Sequence, residues 1–199
     1  MPHRFQCTCG KVQGEIREPG QGMRAACYCM DCQTYAHLLG RADQVLDPIG
    51  GTDVVATPAG NVAITAGREH LQCVSLSPRG LLRWYAGCCG TPIANTPRDW
   101  KLPYIGLVHT CLRQPDAFER SFPRVDIRVN TKGAHGAVPR DGGLAGKLRF
   151  LRMMLALARM RLTGAYRATP LFSAGGEPLA VPRVAERAEV EAARRAAGA

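Results

Sequence analysis

The chain is short of aromatic residues, of lysine and of long apolar runs, and each shortage removes a class of protein. Aromatic residues are 6% of the 199 positions. They are not interleaved with the arginines as base-stacking platforms would be, which argues against a nucleic-acid partner. No stretch approaches the roughly 20 uninterrupted apolar residues that a membrane-spanning helix needs. The N-terminus, Met1-Pro2-His3-Arg4-Phe5-Gln6-Cys7, has no apolar core of signal-peptide length, so a cytoplasmic protein is expected. Gly50-Gly51-Thr52-Asp53 is not followed by the Lys and Ser or Thr of a phosphate loop. No histidine or acid is placed beside Ser75 or Ser77 to make a visible serine triad.

Lysine occurs only as Lys11, Lys101, Lys132 and Lys147, so the net charge of +10 is almost entirely arginine. Up to residue 140 there are 16 basic and 11 acidic residues, and after it 10 and 5, so each part carries +5. The shorter C-terminal part is the more basic per residue. Such surface attracts nucleic acid, anionic lipid or anionic small molecules, and charge alone does not choose among them.

Cysteine is what the chain does have. Seven of the nine cysteines fall in three clusters: Cys7 and Cys9; Cys27, Cys29 and Cys32; Cys88 and Cys89. Thiolates favour soft metals, and a short loop aims two sulfurs at one ion. A reducing compartment disfavours structural disulfides, which leaves clustered thiols as metal or redox sites. Cys73 and Cys111 stand singly in apolar stretches and read as small buried hydrophobes.

From residue 4 to about 133, short apolar runs alternate with Gly, Pro, Asn and Asp, the pattern of an antiparallel β fold. Strands are expected over Val12 to Ile16, Asp53 to Ala56, Val62 to Thr65, Leu71 to Leu76, Leu81 to Tyr85, Tyr104 to Val108 and Val125 to Val129. Ser77-Pro78-Arg79-Gly80 reads as a hairpin turn that delivers the chain into Cys88 and Cys89. A short helical turn is expected within Tyr28 to Leu39. The predicted organisation is mainly β, small antiparallel sheets stapled by zinc over residues 1–135, then a C-terminal α-helical appendage over 136–199. That appendage holds a glycine-rich linker, a basic amphipathic helix from Leu144 to Arg167 with six basic and no acidic residues, and a solvated tail that reads after about residue 183 as a frayed or solvated terminal helix. The helix is apolar over most of its girth, which points to packing on the β domain or on a second copy as a homodimer. An anionic membrane surface is the less favoured partner.

Cys27, Cys29 and Cys32 offer three thiolates in six residues and leave the fourth position of one zinc open unless His37 or Asp31 closes it. An open position takes water, hydroxide or a thiol, and a bound thiol is deprotonated by the cation. Cys7 and Cys9 are half of a tetrahedral site, for which Cys88 and Cys89 are the obvious complement. Neighbouring residues in extended chain point to opposite sides, so either the chain bends sharply at Gly87 and Gly90 or only one of the pair ligates.

Cys7-Thr8-Cys9-Gly10, Cys27-Tyr28-Cys29-Met30-Asp31-Cys32 and Gly87-Cys88-Cys89-Gly90-Thr91-Pro92, with a closing stretch Pro123 to Val129 and Lys132, resemble the glutathione-dependent formaldehyde-activating enzymes. Their zinc-binding domain is shared with a centromere-associated protein. The resemblance covers residues 4 to about 133. It implies a structural zinc on the first and third clusters and a catalytic zinc on Cys27, Cys29 and Cys32, hence one or two ions per chain. It departs at Ala86, where the family has cysteine. Cys88 substitutes, Cys73 reaches in from the paired strand, or the site is incomplete; the sequence leaves these open.

The function this implies is a carbon–sulfur lyase-like enzyme that adds a thiol such as glutathione to a small aldehyde. Arg24, Arg83 and Arg98 are candidates for the carboxylates of glutathione, against the plainer reading that each is a surface residue. The alternative is a non-catalytic zinc-stabilised module that uses its basic surface on nucleic acid or membrane.

Overall fold

Ser77-Pro78-Arg79-Gly80 closes as a turn, with the Gly80 amide donating to the Ser77 carbonyl at 3.1 Å. In the computed structural model, which describes residues 1–140 and 143–198, that turn joins two of eleven described strands. They are β1 (His3–Gln6), β2 (Gln13–Ile16), β3 (Met23–Cys27), β4 (Thr52–Pro58), β5 (Val62–Ala66), β6 (Leu71–Ser75), β7 (Leu82–Ala86), β8 (Thr91–Thr96), β9 (Tyr104–Val108), β10 (Ile127–Val129) and β11 (Arg183–Val184). The helices are α1 (Met30–Leu38), α2 (Ala42–Val45), α3 (His109–Leu112), α4 (Phe118–Ser121), α5 (Gly143–Thr163) and α6 (Arg187–Ala196).

A three-stranded sheet runs β1-β2-β5 and an eight-stranded sheet runs β10-β3-β4-β9-β8-β7-β6-β11. The mainly β expectation holds. The central strands pair antiparallel, and the two edge strands β10 and β11 pair parallel to β3 and β6. The main core lies between the two sheets, where Phe5, Ile16, Val55, Trp84, Ile93 and Leu107 are buried.

Every expected strand has a counterpart, and four strands carry no clear sequence signal. β3 reads Met-Arg-Ala-Ala-Cys, with a charge in the middle that Asp53 neutralises. β8 is buried at all six positions and so shows no alternation, and it contains Pro92. A register shift at Trp84/Tyr85 accommodates the proline, which cannot donate to the ladder. β1 is polar at three of its four positions and β11 has only two residues.

The periodic helix is α5. It lies on β3, β4 and β10, burying Met153 and Leu157 against Met23 and Ala56. Gly146 permits close approach at its N-terminal end: a Cβ there would collide with the Asp126 carbonyl oxygen. Arg149 reaches Asp126 at 3.5 Å, and Arg161 near the other end reaches Asp99 at 3.0 Å. The expected terminal helix is present as α6, and it is packed on one side rather than frayed. α6 opens on a capping box between Glu186 and Glu189, packs Val190 in one cluster with Tyr35 of α1, and buries Ala193 as well. Its alanines and Val190 make an apolar stripe once a partner helix exists, and the high charge density hides that stripe in the sequence.

Candidate metal centres and the adjoining pocket

The first and third clusters meet. Cys7–Cys9, Cys7–Cys88, Cys9–Cys88 and Cys88–Cys89 sulfurs lie 3.5, 4.0, 3.3 and 3.9 Å apart. All four sulfurs are within 4.8 Å of one another. A tetrahedral zinc with bonds of about 2.3 Å requires sulfurs about 3.8 Å apart, so the donor set fits one ion. Two tight turns make this geometry. Gly10 at φ 76° follows Cys9, and Gly90 at φ 70° follows Cys89, both in the left-handed region that glycine tolerates. The Gly10 amide donates to Cys7 O at 2.9 Å, and those of Cys89 and Gly90 donate to Ala86 O at 3.2 and 2.7 Å. Residues 87–90 therefore form a turn rather than extended chain, and the opposite pointing of neighbours in a strand does not apply to Cys88 and Cys89.

Ala86 itself closes β7 and is fully buried. Cys73 sits in β6 opposite Trp84 and takes no part in this group. Cys111 is buried and donates to Val108 O at 3.1 Å, so both isolated cysteines are core residues. The Cys89 thiol is brought down to about 6: burial opposes the shift, and hydrogen bonds with Thr91 and the Cys9 amide outweigh it.

The middle cluster is built at one strand-to-helix junction. Cys27 ends β3, Cys29 is the N-cap of α1, and Cys32 lies in its first turn. The Cys29 sulfur accepts the Cys32 amide at 3.3 Å, and the sulfurs of Cys27 and Cys32 are 3.8 Å apart. All three sulfurs fall within 4.8 Å, and among the described residues no fourth His, Cys, Asp or Glu joins them. Asp31 faces Arg194 of α6 at 3.4 Å instead.

Two polar side chains turn toward these sulfurs. Asn130 Nδ2 donates to Cys27 Sγ at 3.4 Å, and Arg83 Nη1 lies 3.9 Å from Cys32 Sγ. Arg83 is buried, donates to Asn95 Oδ1 at 3.2 Å and stacks over Tyr35. Burial opposes its charge, and the Cys32 sulfur more than restores it. The Cys27 thiol is held far below its ordinary value, first by hydrogen bonds from Cys29 and then from Cys32. The same sharing raises Cys29 and Cys32. Three thiolates on a divalent cation carry one net negative charge, which a buried guanidinium offsets.

Sequence reasoning missed Asn130, which lies 103 residues from its sulfur. Arg83 is one of the three candidate arginines, expected to face a carboxylate and found beside the Cys32 sulfur. The other two candidate arginines are engaged elsewhere. Arg24 holds Asp53 through Nε and Nη2 and also donates to Phe122 O. Arg98 donates to Gly80 O at 2.9 Å.

The three cysteines line a pocket of about 470 Å³ between α5 and the large sheet. Strand alternation puts Met23, Ala25 and Cys27 on one face, so the β3 wall of the pocket is apolar up to the sulfur. Phe150, Met153, Met154 and Leu157 of α5 form the opposite wall. Among the described lining residues the polar side chains besides the cysteines are Asn95, Tyr104 and Asn130, and none is charged. Burial, reinforced by the Cys32 and Cys27 sulfurs, keeps the Tyr104 phenol protonated.

Residues 3–182 match a protein family described as a family of unknown function, DUF6151. A solved structural-genomics protein from Rhodobacter sphaeroides is similar over 63% of this chain and 99% of its own, with 16% identity and a TM-score of 0.43. Comparison with curated proteins gives no match. No described helix is long and apolar enough to cross a membrane.

Proposed function

Because the chain belongs to the family of unknown function DUF6151, whose description names no reaction, we propose a function from the middle cluster: metal-dependent addition of a thiol to a small aldehyde. The observation that carries it is the convergence of Cys27, Cys29 and Cys32, without a fourth protein ligand among the described residues, in the lining of a pocket. The motif likeness to the formaldehyde-activating enzymes supports the same chemistry and names glutathione and formaldehyde as the substrates to try first.

A divalent ion such as zinc, held by three thiolates, supplies a Lewis-acid position that takes a soft fourth ligand and favours its deprotonated form. Cys27, Cys29 and Cys32 would hold it. Asn130 and Arg83 orient and neutralise the sulfurs, and α5 supplies an apolar wall beside them. In the reaction the thiol sulfur attacks the carbonyl carbon, the carbon–sulfur bond forms as the carbonyl π bond breaks, and the thiol proton ends on the oxygen. Tyr104 is a hydroxyl donor lining the same space.

The test is to load the full chain with zinc and follow adduct formation from formaldehyde and a series of thiols. Acceleration that disappears in Cys29→Ser supports the reading. A rate equal to background with every thiol rejects it.

A second reading, a binding module, rests on the outer side of α5. Leu144, Leu148, Leu151, Leu155 and Leu162 are exposed there, and the helix has no acidic residue. An anionic membrane surface matches that combination. Co-sedimentation with phosphatidylserine vesicles that is lost at high salt would support it.

A further inference from the structure

The walls of the pocket differ in kind from what an anionic peptide thiol needs. Carboxylates buried without a partner are costly, and they are recognised by arginine or lysine. No described residue lining this pocket is cationic, and Arg83, the nearest buried cation, is already engaged by Cys32, Asn95 and Tyr35. The rim is apolar as well: Leu81, Leu102, Phe150 and Met154 remain 42, 46, 44 and 41% exposed around the mouth. Large apolar side chains left in water around a concavity mark a surface that an apolar ligand covers. A volume of about 470 Å³ is that of a small-molecule site.

We propose that the pocket between α5 and the large sheet binds an uncharged thiol with an extended aliphatic body, its sulfur at Cys27, Cys29 and Cys32 and its chain along Met153, Met154 and Leu157. This rests on the thiol-binding reading above and specifies its substrate class. α5 is then the specificity element. Phe150 and Met154 at the mouth set which chains enter, and Met153 and Leu157 form the wall they lie on. The step is the same addition, with sulfur joined to the carbonyl carbon and the proton to its oxygen, so no oxidant or reductant is required.

The experiment measures binding of ethanethiol, butanethiol, hexanethiol and glutathione to the zinc-loaded full chain by titration calorimetry, with no aldehyde present. Affinity should rise by up to about fourfold for each added methylene that the pocket buries, and hexanethiol should bind more tightly than glutathione. Phe150→Glu and Met154→Glu alter exposed rim positions and should flatten the chain-length series while native mass spectrometry still shows the metal content of the unaltered chain. Glutathione binding as tightly as hexanethiol, or a flat series in the unaltered chain, overturns the proposal. The two readings fail separately: a steep series without turnover removes the reaction and keeps the pocket assignment. Turnover that is fastest with glutathione keeps the reaction and removes the assignment.

Discussion

Asn130 donates its side-chain amide to Cys27 Sγ at 3.4 Å from a backbone held at φ 54°. Asparagine is among the few residues that tolerate the left-handed region. The loop is fixed from behind by Gln33, whose Nε2 donates to Gly133 O at 2.8 Å and to Tyr28 O at 3.2 Å. Side chains that bond to ligand atoms typically account for 10–100-fold in metal affinity. Asn130→Ala should therefore weaken metal retention at the middle cluster by about tenfold or more, read by competition with a chromophoric chelator. Unchanged affinity would show that the contact is incidental.

The two cysteine groups should differ in what they stabilise. Cys7 and Cys88 are 81 residues apart in the chain, whereas Cys27 to Cys32 spans five. A cross-link over a loop of that longer length is worth about 4 kcal/mol in the chain-entropy model. Cys9→Ser should lower Tm by about 10 °C at the 2–4 °C per kcal/mol expected of a chain this size. Cys29→Ser should leave Tm within a few degrees and remove one ion by native mass spectrometry. Equal losses of Tm in the two variants would contradict the division of roles.

Gly146→Val should dislodge the N-terminal turns of α5, because its Cβ would meet the Asp126 carbonyl oxygen of a fixed backbone. Overpacking of this kind costs about 1–3 kcal/mol, a fall in Tm of several degrees. Ala145→Val, at an exposed neighbouring position, is the control and should change Tm much less. A melt of Gly146→Val that coincides with the unaltered chain would count against the docked helix.

His109 is buried, and burial lowers its pKa below the ordinary histidine value of about 6.5. Asp53 opposes that shift, while Arg113 and Arg24 add to it. The unfolded chain then takes up the proton first, so stability present above about pH 6.5 is lost as pH falls through the folded pKa. His109→Gln should flatten the pH dependence of Tm between pH 7 and 5 relative to the unaltered chain. Parallel curves for the two proteins would remove His109 as the cause.

Much of this was written in local pattern. Cysteine spacing within each cluster names soft-metal donors, alternation marks most strands, and the three-and-four spacing of Leu144 to Leu162 marks α5. These signals are local because a strand repeats every two residues and a helix every 3.6.

What the tertiary structure decided are the relations between distant segments. The turn at residues 87–90 brings both Cys88 and Cys89 to Cys7 and Cys9 although Ala86 stands where the motif has cysteine. The packing of α6 on α1 gives Asp31 a partner in Arg194, and among the described residues no fourth His, Cys, Asp or Glu joins the three middle sulfurs. The docking of α5 by Gly146 turns a basic apolar helix into the wall of the pocket at those sulfurs. Sequence determined which atoms can hold a metal. Only folding decided which sulfurs come together and which surface faces the middle cluster, because those depend on contacts between segments that no repeat along the chain encodes.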